Sequence, residues 1–493
     1  MRKIGTLILA LTCFISFAQS ETMTPELLWK LGRVSLETVS PDGKQFIYGI
    51  TNYDTDANKG SRDLYAMGAD GKNKKQLTDL PGGEYGAHYL MGGKKIGFSH
   101  QGQFHMMNAD GTDLKPATEI DGGMSNIKAF DLPDGRIALL FTTSVKMEKT
   151  TADLYPNLPK AEAFVIDDLM YRHWDSWSGA EYNHICIAYI GTDGAKATEF
   201  KDLMEGEKFD APVNPFGGSE SFTLSPDGKT VVYESKKLSG KEWAVSTNSE
   251  LYAVELATGK TTTLSAGMAG YDKDPKFSPD GSKLGWLSMK TPGFESDVND
   301  IIIMNMKTGE KTHLLQATNK YDDMTFQNFS WVDNNTIYAG VPEDGSNQVY
   351  QITQTSKGVT YKKVTSGDHN YNHFEVAGKQ LIVERQDMNH ATEVYSVDIK
   401  KGAAKQLTHV NDDIYSNVKM SKVEKRMVKT SDGKEMLTWV IYPPDFDPNK
   451  KYPALLYCQG GPQSQVSQFY SFRWNFQLMA AKGYIVVAPN RRG

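Results

Sequence analysis

Ser225-Pro226-Asp227-Gly228-Lys229 runs directly into Thr230-Val231-Val232-Tyr233, and this stretch decides how the chain is read. Proline presets φ for the first corner of a turn, and Asp-Gly supplies the position that needs φ > 0. An alternating apolar strand follows. The same phrase stands at Ser40-Pro41-Asp42-Gly43-Lys44 and at Ser278-Pro279-Asp280-Gly281-Ser282, with weaker copies at 91–95, 132–136, 331–335 and 376–379. A hairpin with its own glycine turn follows each corner, as in Leu64-Tyr65-Ala66-Met67 with Asp70-Gly71, or Leu251-Tyr252-Ala253-Val254 with Thr258-Gly259. Such pairs between alternating strands are the strongest local hairpin signal. Seven corners thus pair with seven hairpins, at intervals of roughly 40 to 55 residues, the spacing of propeller blades. One unit cannot bury both faces of its sheet, so the units are expected to stack around an axis. The expectation is an all-β, seven-bladed β-propeller over residues 21–415. One long interval leaves an eighth blade open.

That interval, about 143–185, holds Glu162, Asp167, Asp168, Tyr171, Arg172, His173, Trp174 and Trp177. A long excursion inside a regular array maps to a loop on one face, often the binding face. Two Trp, one Tyr, one Arg and one His within seven residues form a dense set of recognition side chains. The alternative is a solvated insertion or a spoiled blade.

Composition bounds the rest. The 493 residues carry a net charge of −6, with no basic footprint for nucleic acid. Arg2 and Lys3 precede an apolar run from Ile4 to Phe17, and Ala18-Gln19-Ser20 offers small residues at a cleavage spacing. Residues 1–20 therefore read as a signal peptide, which places the protein in the periplasm or outside the cell. No later stretch is apolar for long enough to span a membrane. Cys186 and Cys458 sit in apolar runs and are expected to be buried free thiols. Neither Cys-x-x-Cys nor His-Glu-x-x-His occurs, and His369, His373 and His390 make no convincing ligand set, so neither metal nor cofactor is expected.

Beyond Asn411 the pattern changes. Met436 to Tyr442 reads as a strand, and Ala454-Leu455-Leu456-Tyr457-Cys458 as a strand covered on both faces. Phe472 to Lys482 has helical spacing with Trp474, Leu478 and Met479 on one face and Gly483 as its stop. Tyr484 to Ala488 is a second buried strand. Strand, helix, strand opens an α/β domain over 416–493. Between the strands lies Gln459-Gly460-Gly461-Pro462, either a plain tight turn or a loop whose backbone N–H groups face a ligand.

The Ser-Asp-Gly corner at 431–433, Lys451-Tyr452-Pro453, Gly460-Gly461-Pro462 and Gly483 through Gly493 stand in one order after the repeats. In this the chain resembles the prolyl oligopeptidase superfamily of serine peptidases, closest to the acylaminoacyl-peptidase branch and its dipeptidyl peptidase 5 type members. The resemblance covers essentially the whole mature chain. It implies a propeller followed by the N-terminal part of an α/β-hydrolase domain, with peptide substrates admitted to a cavity between them. It implies that the Gly461 N–H belongs to the oxyanion hole; Gln459 replaces the His or Tyr of other relatives and is the second oxyanion candidate, through its side-chain amide. It also implies acidic propeller side chains for the substrate α-ammonium, with Glu162 and Glu220 preferred over Asp167 and Asp168, and dimerisation through the hydrolase domain. The family mechanism needs Ser on a Gly-x-Ser-x-Gly elbow, then Asp and His. No such elbow occurs in the 493 residues, and in the family all three follow the Asn-Arg-Arg-Gly segment. The expectation is the front part of a longer serine exopeptidase, lacking its triad. The competing reading is a non-catalytic periplasmic propeller that binds or scaffolds; an esterase would share the hydrolase start without needing the propeller.

Overall fold

The corner phrase folds as its chemistry dictates. In the computed structural model, which describes residues 21–315, 324–461 and 464–491, the Ser225 hydroxyl donates to Asp227 Oδ1 at 2.6 Å and accepts from the Thr230 N–H at 2.9 Å. Asp227 Oδ1 in turn accepts from the Lys229 N–H, and Gly228 sits at φ +71°. Ser40 and Asp42 repeat the arrangement around Gly43, at φ +68°.

Each of the seven corners joins the first and second strands of a four-stranded antiparallel unit. The first unit comprises Arg33–Val39, Gln45–Asp54, Lys59–Gly68 and Lys75–Gln76. Among the described residues, six more follow in sequence over 84–116, 125–202, 222–263, 272–313, 328–363 and 370–406. The last two units are joined by a single parallel bridge, Asn347 to Asn370. Apolar clusters fill the gaps between successive units. Phe98 and Ile96 of the second pack on Ile47 and Leu64 of the first, and Trp286 of the fifth packs on Val232 of the fourth. The series returns on itself, because Ile382 and Val394 of the seventh unit share a core with Phe46 and Tyr48 of the first.

Among the described residues no strand is shared across this last junction; polar side chains bridge it. Glu384 Oε1 accepts from the Leu36 N–H at 2.8 Å, and Glu375 Oε2 accepts from the Val39 N–H at 2.6 Å. Asn411, fully buried, binds both polar groups of the Gly32 backbone, at 2.8 and 2.9 Å. These bonds satisfy buried peptide groups that a sheet ladder would otherwise have paired.

A different sheet follows. Val423–Lys429 pairs with Glu435–Ile441, which pairs antiparallel with Ile485–Pro489; that strand then pairs in parallel with Ala454–Leu456. The helix Phe476–Ala481 connects the two parallel strands. It is shorter than its periodicity predicts, and its buried face is Phe476, Gln477 and Ala480 rather than Trp474, Leu478 and Met479. Local hydroxyl and amide chemistry explains this: Ser471 Oγ accepts from the Arg473 and Trp474 N–H groups, and Asn475 caps the helix by accepting from the Leu478 N–H. Trp474 therefore lies outside the helix, 50% exposed. The strand Ala454–Leu456 is not covered on both faces among the described residues: it forms the sheet edge and Leu456 is 65% exposed. Cys186 is buried as expected, but Cys458, just past this edge, is exposed.

Residues 21–31 also pack against this second sheet's surroundings. The helix Pro25–Lys30 places Leu28 with Ala391, Val418 and Tyr470, and the Arg33 guanidinium lies 4.0 Å from the Phe472 ring centroid. The predicted signal peptide lies outside the described residues.

Candidate functional site

The turns between second and third strands lie on the face opposite the Ser-Pro-Asp-Gly corners, since antiparallel strands alternate direction. Three observations locate the parallel β-α-β segment on that face. The hairpin tip at Asp344-Gly345 meets Gln465, the Met388 N–H donates to Gln468 Oε1, and Asn370 Nδ2 donates to Ser467 Oγ. The long insertion leaves the third unit between Ile137–Lys146 and Glu181–Ile190, so it rises on this same face. The corner face carries a cavity of about 790 Å³, its lining including Ser225, Pro226, Ser278 and Pro279.

The glycine loop emerges from the edge strand Ala454–Leu456. It borders a cavity of about 750 Å³ walled by Leu456, Tyr457, Cys458, Trp474 and Met479. Gly461 adopts φ +132°, which an L-side chain rarely tolerates, and among the described residues nothing lies within 4 Å of a Cβ placed on Gly460. Gln459 is held by two contacts: its carbonyl accepts from Arg491 Nη2 at 3.0 Å, and its side-chain Nε2 donates to Ser464 Oγ at 2.9 Å. The Gln459 amide is therefore already engaged within the loop, and its Oε1 has no partner among the described residues.

The insertion residues form an aromatic platform. Trp177 stacks on Phe164 at 5.3 Å and on Tyr171 at 6.0 Å, with the Arg172 guanidinium 5.4 Å from its ring. Trp174 meets Phe216 edge-on at 5.4 Å, and His173 touches both rings. Trp174 and Phe216 are 68% and 62% exposed. Phe216 comes from a neighbouring loop and was not singled out from sequence, because nothing local marks it. Glu162, Asp167 and Asp168 are exposed on the same arm; Asp168 approaches Gly240 of the fourth unit. Glu220 lies elsewhere, in the short turn Ser219–Ser221 at the head of the fourth unit's first strand, where it acts electrostatically on Lys128 of the adjacent third unit. Burial and neighbouring Lys276 push the Lys128 ammonium down to about 8. Glu162 and Glu220 therefore stand on separate elements. Among the described residues no group of three or more His, Cys, Asp or Glu is arranged to hold a metal.

What sequence reading missed is the stretch after the glycines. Every described residue from Gln465 to Gln468 grips something distant, and the run of Gln and Ser there was the only signal.

No family model matches the chain. It is 42% identical over 475 residues to the dipeptidyl-peptidase 5 of Porphyromonas gingivalis, covering 96% of this chain and 68% of that protein. Among solved structures, the Pyrococcus horikoshii acylaminoacyl peptidase superposes with a TM-score of 0.70 at 18% identity, over 95% of this chain and 66% of that one. The β-propeller domain of the trilobed protease from Pyrococcus furiosus gives a TM-score of 0.50 at 14% identity, over 78% of this chain and 98% of that domain. The chain spans about two thirds of the length of the full-length relatives it matches. Sequence identity of this extent, on a fold shared with acylaminoacyl peptidase, establishes that the chain belongs to the dipeptidyl-peptidase 5 family of peptidases.

Proposed function

We propose that this chain forms the greater part of an exported serine exopeptidase that releases dipeptides or acylated residues from the N-termini of short peptides. In this reading the seven four-stranded units are propeller blades, and the parallel β-α-β segment opens an α/β-hydrolase domain seated on them. Residues 1–20 direct export, and the hydrolase domain pairs two copies.

The observation that carries the reading is the placement of Gly460-Gly461 at the C-terminal end of a parallel strand, bordering a cavity, in a chain 42% identical to a dipeptidyl-peptidase. The Gly461 N–H then donates to the oxyanion that forms when a serine adds to the scissile carbonyl. Such a donor acts on charge that exists only in the tetrahedral state, and its loss costs about 3–4 kcal/mol of that stabilisation. The serine, its histidine base and the aspartate are assigned to the part of the family's length that this chain does not span. Gln459 acts through loop geometry, because its amide is bound to Ser464. Glu162 and Glu220 remain the proposed anchors for the substrate ammonium, and the aromatic arm contacts the peptide.

The test uses the full-length protein with two chromogenic substrates, one a dipeptide with a free amine and one an acetylated amino acid. Hydrolysis of either, abolished by a fluorophosphonate, is expected. A folded protein that neither hydrolyses them nor takes up the label would favour a non-catalytic binding propeller. Glu162→Gln and Glu220→Gln are then assayed on the free-amine substrate; unchanged turnover in both removes them as anchors.

A further inference from the structure

The loop that follows the two glycines is gripped alternately by the two parts of the molecule. Gln465 Oε1 accepts from the Gly345 N–H at 3.0 Å, and its Nε2 donates to the Ser346 carbonyl at 2.8 Å and to Asn347 Oδ1 at 3.2 Å. The next residue, Val466, faces the other way. Its N–H donates to Asn490 Oδ1 at 2.7 Å, and its carbonyl accepts from Trp439 Nε1 at 2.9 Å and Asn490 Nδ2 at 3.1 Å. Ser467 and Gln468 return to the propeller side through Asn370 and Met388. Asn347 is itself fixed, its N–H donating to Asn370 Oδ1 at 3.0 Å and its Nδ2 to Asn372 Oδ1 at 3.3 Å.

The hairpin tip is rigid for reasons of its own. Asp344 and Gly345 hold φ +47° and +75°, as the two central residues of a tight hairpin turn require. A Cβ on Gly345 would stand 2.8 Å from the Trp439 ring, so hairpin and indole are in direct contact. Trp439, Gly345, Gln465 and Val466 therefore close a cycle of contacts. The glycine loop is tied to this cycle through Gln459, whose side-chain amide donates to Ser464, adjacent to Gln465, and whose carbonyl accepts from Arg491, adjacent to Asn490.

We propose that Gln465 is a positioning residue through which the propeller hairpin 343–346 sets the register of the Gly460-Gly461 loop. The inference rests on the peptidase reading above. A primary amide carries acceptor and donor on separate atoms, so it accepts from one peptide group and donates to the next, fastening to the hairpin as a strand would. Displacing the propeller from the hydrolase segment then moves the oxyanion donor, and docking of the two parts regulates turnover rather than substrate affinity.

The test compares full-length wild type with Gln465→Met, which keeps the shape without the hydrogen bonds, and Gln465→Glu, which keeps only the acceptor. Misplacing a reacting group by about 1 Å costs on the order of 100-fold in rate. Gln465→Met is expected to lower kcat roughly 10- to 100-fold on that scale with KM nearly unchanged, and Gln465→Glu to lose at least as much, because its second oxygen would face the Ser346 carbonyl and Asn347 Oδ1. Affinity for a peptide boronate, which places an oxyanion in the hole, should fall in step with kcat, whereas inhibition by product dipeptide should not change. If Gln465→Met fails to fold, the isosteric Glu variant gives the same readings. Unchanged kcat in a folded variant, or equal losses of boronate and product affinity, overturns the proposal. An inactive wild type would instead remove the peptidase reading and the proposal with it.

Discussion

Asn411→Ala tests whether the ring is closed by side chains at its last junction. Asn411 is fully buried and makes two hydrogen bonds to Gly32, from which it is separated by 379 positions in sequence. Truncation removes both partners and leaves the Gly32 N–H and C=O buried and unpaired. Each such group costs about 1–3 kcal/mol, so the expected loss is roughly 2–6 kcal/mol. No backbone shift can recover it cheaply, because Gly32 is wedged in place: a Cβ there would stand 2.6 Å from Val410 Cγ1. Asn411→Asp should cost at least as much at neutral pH. Its second oxygen would face the Gly32 carbonyl, close to the Glu393 carboxylate that accepts from the Asn411 N–H. Equilibrium urea unfolding of the full-length protein measures the loss, and limited proteolysis near residues 21–32 reports opening of the junction. Asn417→Ala, an exposed residue whose amide reaches only the Asp413 carbonyl, is the control and should stay within about 0.5 kcal/mol. An Asn411→Ala protein within about 1 kcal/mol of wild type, with an unchanged cleavage pattern, would refute the argument.

Burial pushes the Glu234 carboxyl up to about 7, only partly offset by Lys273. The folded state therefore holds a proton that the unfolded chain releases near 4.5, so stability falls as pH rises from about 4.5 through 7, by up to about 3 kcal/mol from this group. Glu234→Gln should flatten that slope in denaturation series at pH 5 and pH 8, and an unaltered slope would count against it. Gly345→Ala forces a side chain into a positive-φ position against Trp439 and should cost about 2–4 kcal/mol, read as a lowered urea midpoint. Trp174→Ala removes an exposed ring and should leave the melting temperature almost unchanged while raising KM for peptide substrates several-fold if the arm contacts the peptide as proposed; an unchanged KM would remove the arm from the binding face.

The repeats were legible because their chemistry is local. Ser40, Asp42 and Gly43 close their turn within five positions, and each corner precedes a strand whose apolar alternation is written beside it. Gly461 and Gly483 were legible for the same reason, since a positive φ selects glycine wherever the chain needs it. The helix was overestimated because spacing alone cannot weigh a hydroxyl that captures two backbone N–H groups, as Ser471 does.

The chain's own order of residues determined that it builds a series of four-stranded units and then a parallel strand pair joined by a helix. Turn residues and periodicity act over a few positions, and those are printed side by side. Only the tertiary structure decided which distant groups meet: Asn411 with Gly32, Gln465 with the 345–347 backbone, Phe216 with Trp174. It also decided that the aromatic arm rises on the face where the glycine loop docks. Such pairings depend on how successive sheets rotate about an axis, and that rotation is a sum over many packed side chains, with no single residue to announce it.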